Sequence, residues 1–148
     1  MHRAVILAVG ALALSAVGFS YMARQPAQSQ EGLVTVTIDA RCPGEGVQTT
    51  VTPWSATLYQ GDSIDWVLAT DAHADSFTVT SKAGPGNWPF SDPPPYGARG
   101  RGVPAGGRDM KPNQAGNRYG YNIELQCSFE GSGPYDVVID PDMIIKQR

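Results

Sequence analysis

Two cysteines, Cys42 and Cys127, and one histidine, His73, carry most of the reactive chemistry of this chain once His2 is set aside. A cysteine thiolate is a nucleophile and a soft metal ligand, and two cysteines can instead close a disulfide. In "TDAHADS" His73 stands between Asp71 and Asp75. One imidazole and two carboxylates on a loop are a donor set for a divalent ion, and the same residues make an ordinary solvated turn. Met110 adds a thioether. Asp140 and Asp142 flank a proline in "IDPDM" and read as a strand terminator. "GSGPY" reads as a turn, because no helix follows it to offer an anion-binding N-terminus. No Ser/His/Asp order stands out, and one histidine near aspartates is thin material for acid–base work. Two acids placed as in a glycosidase stay open, since any two carboxylates can meet in space. With no motif and a small size, an enzyme is not expected. Nucleic acid is not an expected partner either, given a formal net charge of −3.

The elements that position these groups read as strands. In "LVTVTIDARC" Val34, Val36, Ile38 and Ala40 alternate with polar residues, the period of a half-buried strand. "TTVTPWSATLYQGDSIDWVL" gives two more strands turning at Gly61 and Asp62, with Ile64, Trp66 and Leu68 on one face. "DSFTVTS" adds a short strand with Phe77 and Val79 inward. Tyr119, Tyr121, Ile123, Leu125 and Cys127 make the longest alternation, and Tyr135, Val137 and Ile139 the last strand, stopped by Pro141. Counting by twos from Val34 reaches Cys42, and from Tyr119 reaches Cys127, so each cysteine shares the apolar side of its own strand. No useful 3.6-residue period follows residue 30. Short strands separated by turn signals predict an all-β sandwich.

Residues 83–117 interrupt this pattern. They are rich in proline and glycine and sit in the basic part of the chain, where Lys82, Arg99, Arg101, Arg108, Lys111 and Arg118 face only Asp92 and Asp109. A structureless loop of such length is usually functional or disordered. Trp88, Phe90 and Tyr96 either fold back on the sandwich or dock on a partner, together with Arg99, Arg101 and Arg108, because Trp, Tyr and Arg are enriched at interface hot spots. On the docking reading, deleting residues 97–107 leaves the domain folded and weakens association.

The N-terminal part is different again. Residues 4–22 are uncharged and apolar; at ~1.5 Å per residue they make a helix of roughly 28 Å, close to the ~30 Å hydrocarbon core. A secretory signal with cleavage after Ser29 is one reading. A retained anchor is the other, and the 4-3-4-3 stripe of Ala4, Ala8, Ala11, Ser15 and Gly18 favours it, since small faces let membrane helices pack closely. The expected organisation is a cytoplasmic stretch 1–3, an anchor or signal 4–22, a linker 23–32 and an exported domain 33–148.

The exported part resembles the cupredoxin family over roughly residues 33–140. "TPWSATLYQGDSIDWVL" is similar to that family's strand–turn–strand with an inward aromatic, and "YNIELQC" with its return strand "YDVVID" to its last hairpin. The resemblance implies a Greek-key β-sandwich. It also implies a copper held by two histidines, a cysteine and a weak axial ligand, commonly methionine. Cys127 matches the cysteine ligand. "SFEGSGPY" holds neither the second histidine nor the methionine, the nearest methionine beyond it being Met143, and Asp75 stands near the place of the first histidine, with His73 two residues early. The trigonal site needs two imidazoles and a thiolate, so the resemblance leads to a cupredoxin-like shell without the metal. In an exported domain two inward cysteines pair as a disulfide, here closing a loop of about 85 residues worth ~4–5 kcal/mol by chain entropy. A metal-binding Cys127 and a buried pair of free thiols remain as alternatives.

The function expected from these residues is a membrane-anchored, periplasmic, non-enzymatic accessory subunit without a cofactor. Its partners would be membrane-protein subunits, met through the helix 4–22 and the loop 83–117, and the lipid bilayer. By analogy with where cupredoxin-like shells recur, the complex would serve photosynthetic or respiratory electron transfer. The alternatives are a copper-binding or electron-transfer protein using His73, Met110 and Cys127, or a secreted soluble binding module.

Overall fold

The computed structural model describes residues 31–42 and 46–148. The segment 4–22, with Ala4, Ala8, Ala11, Ser15 and Gly18, lies outside the described residues. Ten strands follow one another: β1 (Leu33–Arg41), β2 (Gln48–Thr52), β3 (Ser55–Tyr59), β4 (Ser63–Leu68), β5 (Ser76–Ser81), β6 (Tyr96–Arg99), β7 (Pro104–Ala105), β8 (Arg118–Phe129), β9 (Ser132–Ile139) and β10 (Asp142–Lys146). They form two mixed sheets, of order β2-β1-β4-β7 and β3-β10-β8-β5-β6, with β9 also on β8. The described part is all-β, as the alternation predicts, and the core lies between the sheets.

Alternation decides what enters that core. In β1 Val36, Ile38 and Ala40 are fully buried, and in the twelve-residue β8 so are Tyr121, Ile123 and Cys127, with Tyr119 and Leu125 nearly so. β1 runs parallel to β4, from Leu33 against Ser63 to Ile38 against Leu68. That pairing defines two ends of the domain. The proximal end carries Gly32, the turn at Gly61 and Asp62, and Ser63. The distal end carries Cys42, His73 and Cys127. Because β3 and β4 lie in different sheets, the Gly61–Asp62 turn carries the chain across the sandwich instead of closing a hairpin.

Two sequence expectations need correction. β9 stops at Ile139, just before Pro141, but it is not the last strand: β10 follows, and the two lie one after the other along the same side of β8. β10 also pairs in parallel with β3, from Asp142 against Ser55 to Lys146 against Tyr59, and buries Met143 and Ile145. Pro141 sits at the joint between two strand segments, where its missing N–H interrupts no ladder.

The second correction concerns residues 83–117. They are not a reaching loop. They contain β6, paired with β5, and β7, paired with β4. Trp88, Phe90 and Tyr96 are buried at 2%, 0% and 8% exposure, so the expected partner-binding rings belong to the core. Trp66 meets Tyr96 at 5.6 Å between ring centroids and Tyr121 at 5.2 Å, and the Trp88 indole N–H donates to the Tyr96 hydroxyl at 2.8 Å. Burying each such ring contributes about 1.5–3 kcal/mol, which the chain realises against its own sheet without waiting for a partner. Glycine makes the fit possible. A Cβ on Gly106 would lie 1.8 Å from the Ile64 carbonyl oxygen, and one on Gly107 would lie 2.3 Å from the Phe90 ring. The segment 97–107 is therefore built into the sheets, although most of it is exposed, and its deletion removes β7 and most of β6.

Candidate functional site

At the distal end, Cys42 just beyond β1 and Cys127 in β8 form a disulfide whose two residues are fully buried, with Cα atoms 6.1 Å apart and a sequence separation of 85. The parity of the two strands brings both sulfurs into the space between the sheets. The bond ties the end of one sheet to the other. Of the three states open to the cysteines, the disulfide is the one present.

His73 sits beside this staple and braces it with three bonds. Its backbone N–H donates to the Ala40 carbonyl at 2.7 Å, and its own carbonyl accepts from the Ser128 N–H at 3.0 Å. Its Nδ1 accepts from the Cys42 N–H at 3.1 Å. An Nδ1 acting as acceptor leaves the ring proton on Nε2 in the neutral imidazole. The ring also stacks on Phe129, with centroids 3.9 Å apart and planes 9° apart. His73 is thus used as a structural acceptor and a stacking surface.

The acids beside it are held by arginines. Arg41 takes both Asp39, at 2.8 Å, and Asp71, while Arg101 reaches Asp75 at 3.3 Å. The Arg41 guanidinium holds the Asp71 carboxyl below its ordinary range. The His73–Asp71–Asp75 set expected as one metal reading is divided among arginines. Among the described residues no three His, Cys, Asp or Glu side chains are grouped as metal ligands.

The non-standard copper set does not assemble either. The Met110 sulfur accepts from the Gly61 N–H at 3.4 Å at the proximal end. From there the distal end is about the length of β1, nine residues at ~3.3 Å each. Cys127 spends its sulfur on Cys42, so His73, Met110 and Cys127 converge on no common point.

The three arginines also separate. Gly100 donates to the Asp75 carbonyl and Gly102 to the Leu68 carbonyl, which places Arg99 and Arg101 distally. Arg108 lies proximally, donating to the Ile64 carbonyl at 2.8 Å and pairing with Asp65. Arg99 and Arg101 thus lie toward one end of β4 and Arg108 toward the other. The distal end presents Phe129 and Val103, 43% and 44% exposed, and the same end carries Arg99, Arg101, Arg41, Asp71 and Asp75. Sequence reading missed Phe129. Counting by twos from Cys127 places Phe129 inward; the β8–β9 pairing is irregular between Cys127 and Phe129 and the ring lies outward, so alternation carried no signal for it.

The proximal end has its own organising group. The Asp62 carboxylate is nearly buried and accepts from the Gly32 N–H and the Tyr59 N–H, each at 2.8 Å, and from Arg148. Burial alone pushes its pKa up, but the two N–H donors and the guanidinium more than offset this and leave it below the usual value. Beside this knot an open cleft of about 610 Å³ is lined by Glu31, Ser63, Ser91, Arg108 and Lys111. Among the described residues no helix is long and apolar enough to cross a membrane. No protein-family model and no curated protein matches the chain.

Proposed function

We propose that this chain is a non-enzymatic, cupredoxin-like accessory subunit that stabilises or bridges a larger membrane complex. In this reading residues 4–22 anchor it through the Ala/Ser/Gly face, and the Greek-key sandwich stands on the periplasmic or outer side. The observation that carries the proposal is the Cys42–Cys127 bond. The cysteine that the resemblance assigns to copper is consumed as a staple, and the surface above it is a stacked His73–Phe129 pair with charged neighbours. A stapled end with exposed apolar groups in a charged rim suits docking better than electron storage. The strand order supports the Greek-key reading, because successive strands repeatedly change sheets. The distal group of Phe129, Val103, Arg99 and Arg101 takes the partner-facing role first given to Trp88, Phe90 and Tyr96. An electron-transfer complex, photosynthetic or respiratory, is the first partner class, by fold analogy.

The test is purification of a C-terminally tagged copy from native membranes in mild detergent. The proposal requires defined membrane subunits in fixed ratio, an intact mass that retains residues 1–29, and loss of those subunits when Phe129, Arg99 and Arg101 are replaced by alanine. A protein that purifies alone, or from the soluble fraction, would overturn it in favour of a secreted binding module.

A further inference from the structure

We propose that the proximal end of the domain rests on the bilayer surface, with Leu33 and Tyr59 in the interfacial zone and Lys146 and Arg148 beside lipid phosphates. This rests on the reading of residues 4–22 as an anchor. Leu33 and Tyr59 are 58% and 42% exposed, large apolar groups placed at the same end on the outer faces of opposite sheets. They therefore straddle the end as a collar. Tyr59 lies under the Arg148 guanidinium, 5.5 Å from the ring centroid. A tyrosine beside a basic side chain, with an apolar neighbour, is the composition favoured where hydrocarbon meets water.

The route of the chain selects the occupant. Eight residues, and so nine Cα–Cα steps, separate Met22, the end of the apolar run, from Glu31. At no more than ~3.6 Å per residue the linker spans at most roughly 32 Å, so the proximal end cannot stand far from the membrane. Asp62 then fixes how the chain arrives. By holding Gly32, the Tyr59 backbone and Arg148 on one carboxylate, it makes the first described residues a rigid part of the end face rather than a loose tether. Arg108 is paired with Asp65 and Arg148 with Asp62, so the face carries no strong field of one sign. Contact with zwitterionic lipid is sufficient for it. The consequence is an upright domain, its disulfide end held away from the lipid and free for protein.

The full chain in phosphatidylcholine vesicles tests this with two photoreactive lipids, one bearing its diazirine in the acyl chain and one near the headgroup, with adducts mapped by mass spectrometry. The expected result is acyl-chain adducts within residues 4–22 and headgroup adducts at residues 31–33, 59–62 and 144–148. Leu33→Asp with Tyr59→Asp should cut the headgroup adducts by about tenfold, because two carboxylates replace apolar surface at the lipid. It should leave the acyl-chain adducts unchanged. Acyl-chain adducts in 4–22 with an unlabelled proximal end, or with equal labelling around Phe129, would overturn the inference and leave the anchor standing. Absence of acyl-chain adducts from 4–22 would remove the anchor, and the inference with it.

Discussion

Breaking the Cys42–Cys127 bond should destabilise the domain strongly. The bond closes a loop of 85 residues. The chain-entropy relation for that length gives about 4.6 kcal/mol at 25 °C, from ~2.1 + 3.0 ln(85) cal/mol/K. Small domains have only ~5–15 kcal/mol in total, so the loss is a third or more of the whole. At about 4 °C per kcal/mol for a domain of this size, Tm should fall by roughly 15–20 °C. Two perturbations separate the bond from the packing of its sulfurs. Reduction of the wild-type protein removes the link alone, while Cys42→Ala with Cys127→Ala also leaves a cavity where two fully buried residues packed. The full chain in mild detergent, melted with and without reductant and followed by tryptophan fluorescence, reads both. The double variant should melt below the reduced wild type. If full reduction, verified by thiol labelling, moves the midpoint by under about 3 °C, the sheets are held by packing alone and the staple argument fails.

The reassigned segment 83–117 makes a second prediction. Gly106→Ala forces a Cβ into the Ile64 carbonyl and should cost more than about 3 kcal/mol or prevent folding, whereas Gly86→Ala, where a Cβ meets open space, should be tolerated; equal denaturation midpoints for the two would refute the β4–β7 approach. Burial pushes the Tyr121 hydroxyl up to about 12 and the Tyr96 hydroxyl higher still. Both values are raised above the unfolded ~10, so their contribution is complete below pH ~10 and is lost as pH rises toward about 12. Tyrosinate absorbance should therefore show two tyrosines ionising only together with the loss of folded circular dichroism, and smooth ionisation of every tyrosine near pH 10 in a folded protein would contradict it.

Much of the fold was legible because period-2 alternation reports burial directly. Tyr119 to Cys127 and Val34 to Ala40 show the side of each strand that meets the core, and the parity of Cys42 and Cys127 follows from the same count. The pairing partners were not legible. Nothing in "SATLY" or "DMIIK" says that β3 and β10 lie side by side in parallel, and Pro141 obscured β10 altogether. The proline-rich segment misled for a physical reason: its rings carry no periodicity, and their destination depends on a fit at Gly106 and Gly107 that only the folded backbone reveals. Of the distal site, His73 and Cys127 were visible as chemistry. The Arg41–Asp71 and Arg101–Asp75 pairs that remove the acids from His73 depend on three-dimensional neighbours.

The sulfur of Cys127 is either bonded to Cys42 or available to a metal, and this difference separates a stapled sandwich from a copper protein. Thiol counting in the unreduced, denatured full chain, paired with titration of the native chain by Cu(II) under visible absorption, addresses this most directly. A disulfide-stapled sandwich should show no reactive thiol before reduction, two after it, and no intense charge-transfer band at any copper ratio. A thiol that reacts without reduction, together with a strong visible band saturating at one copper per chain, would contradict it and make this sandwich a copper protein.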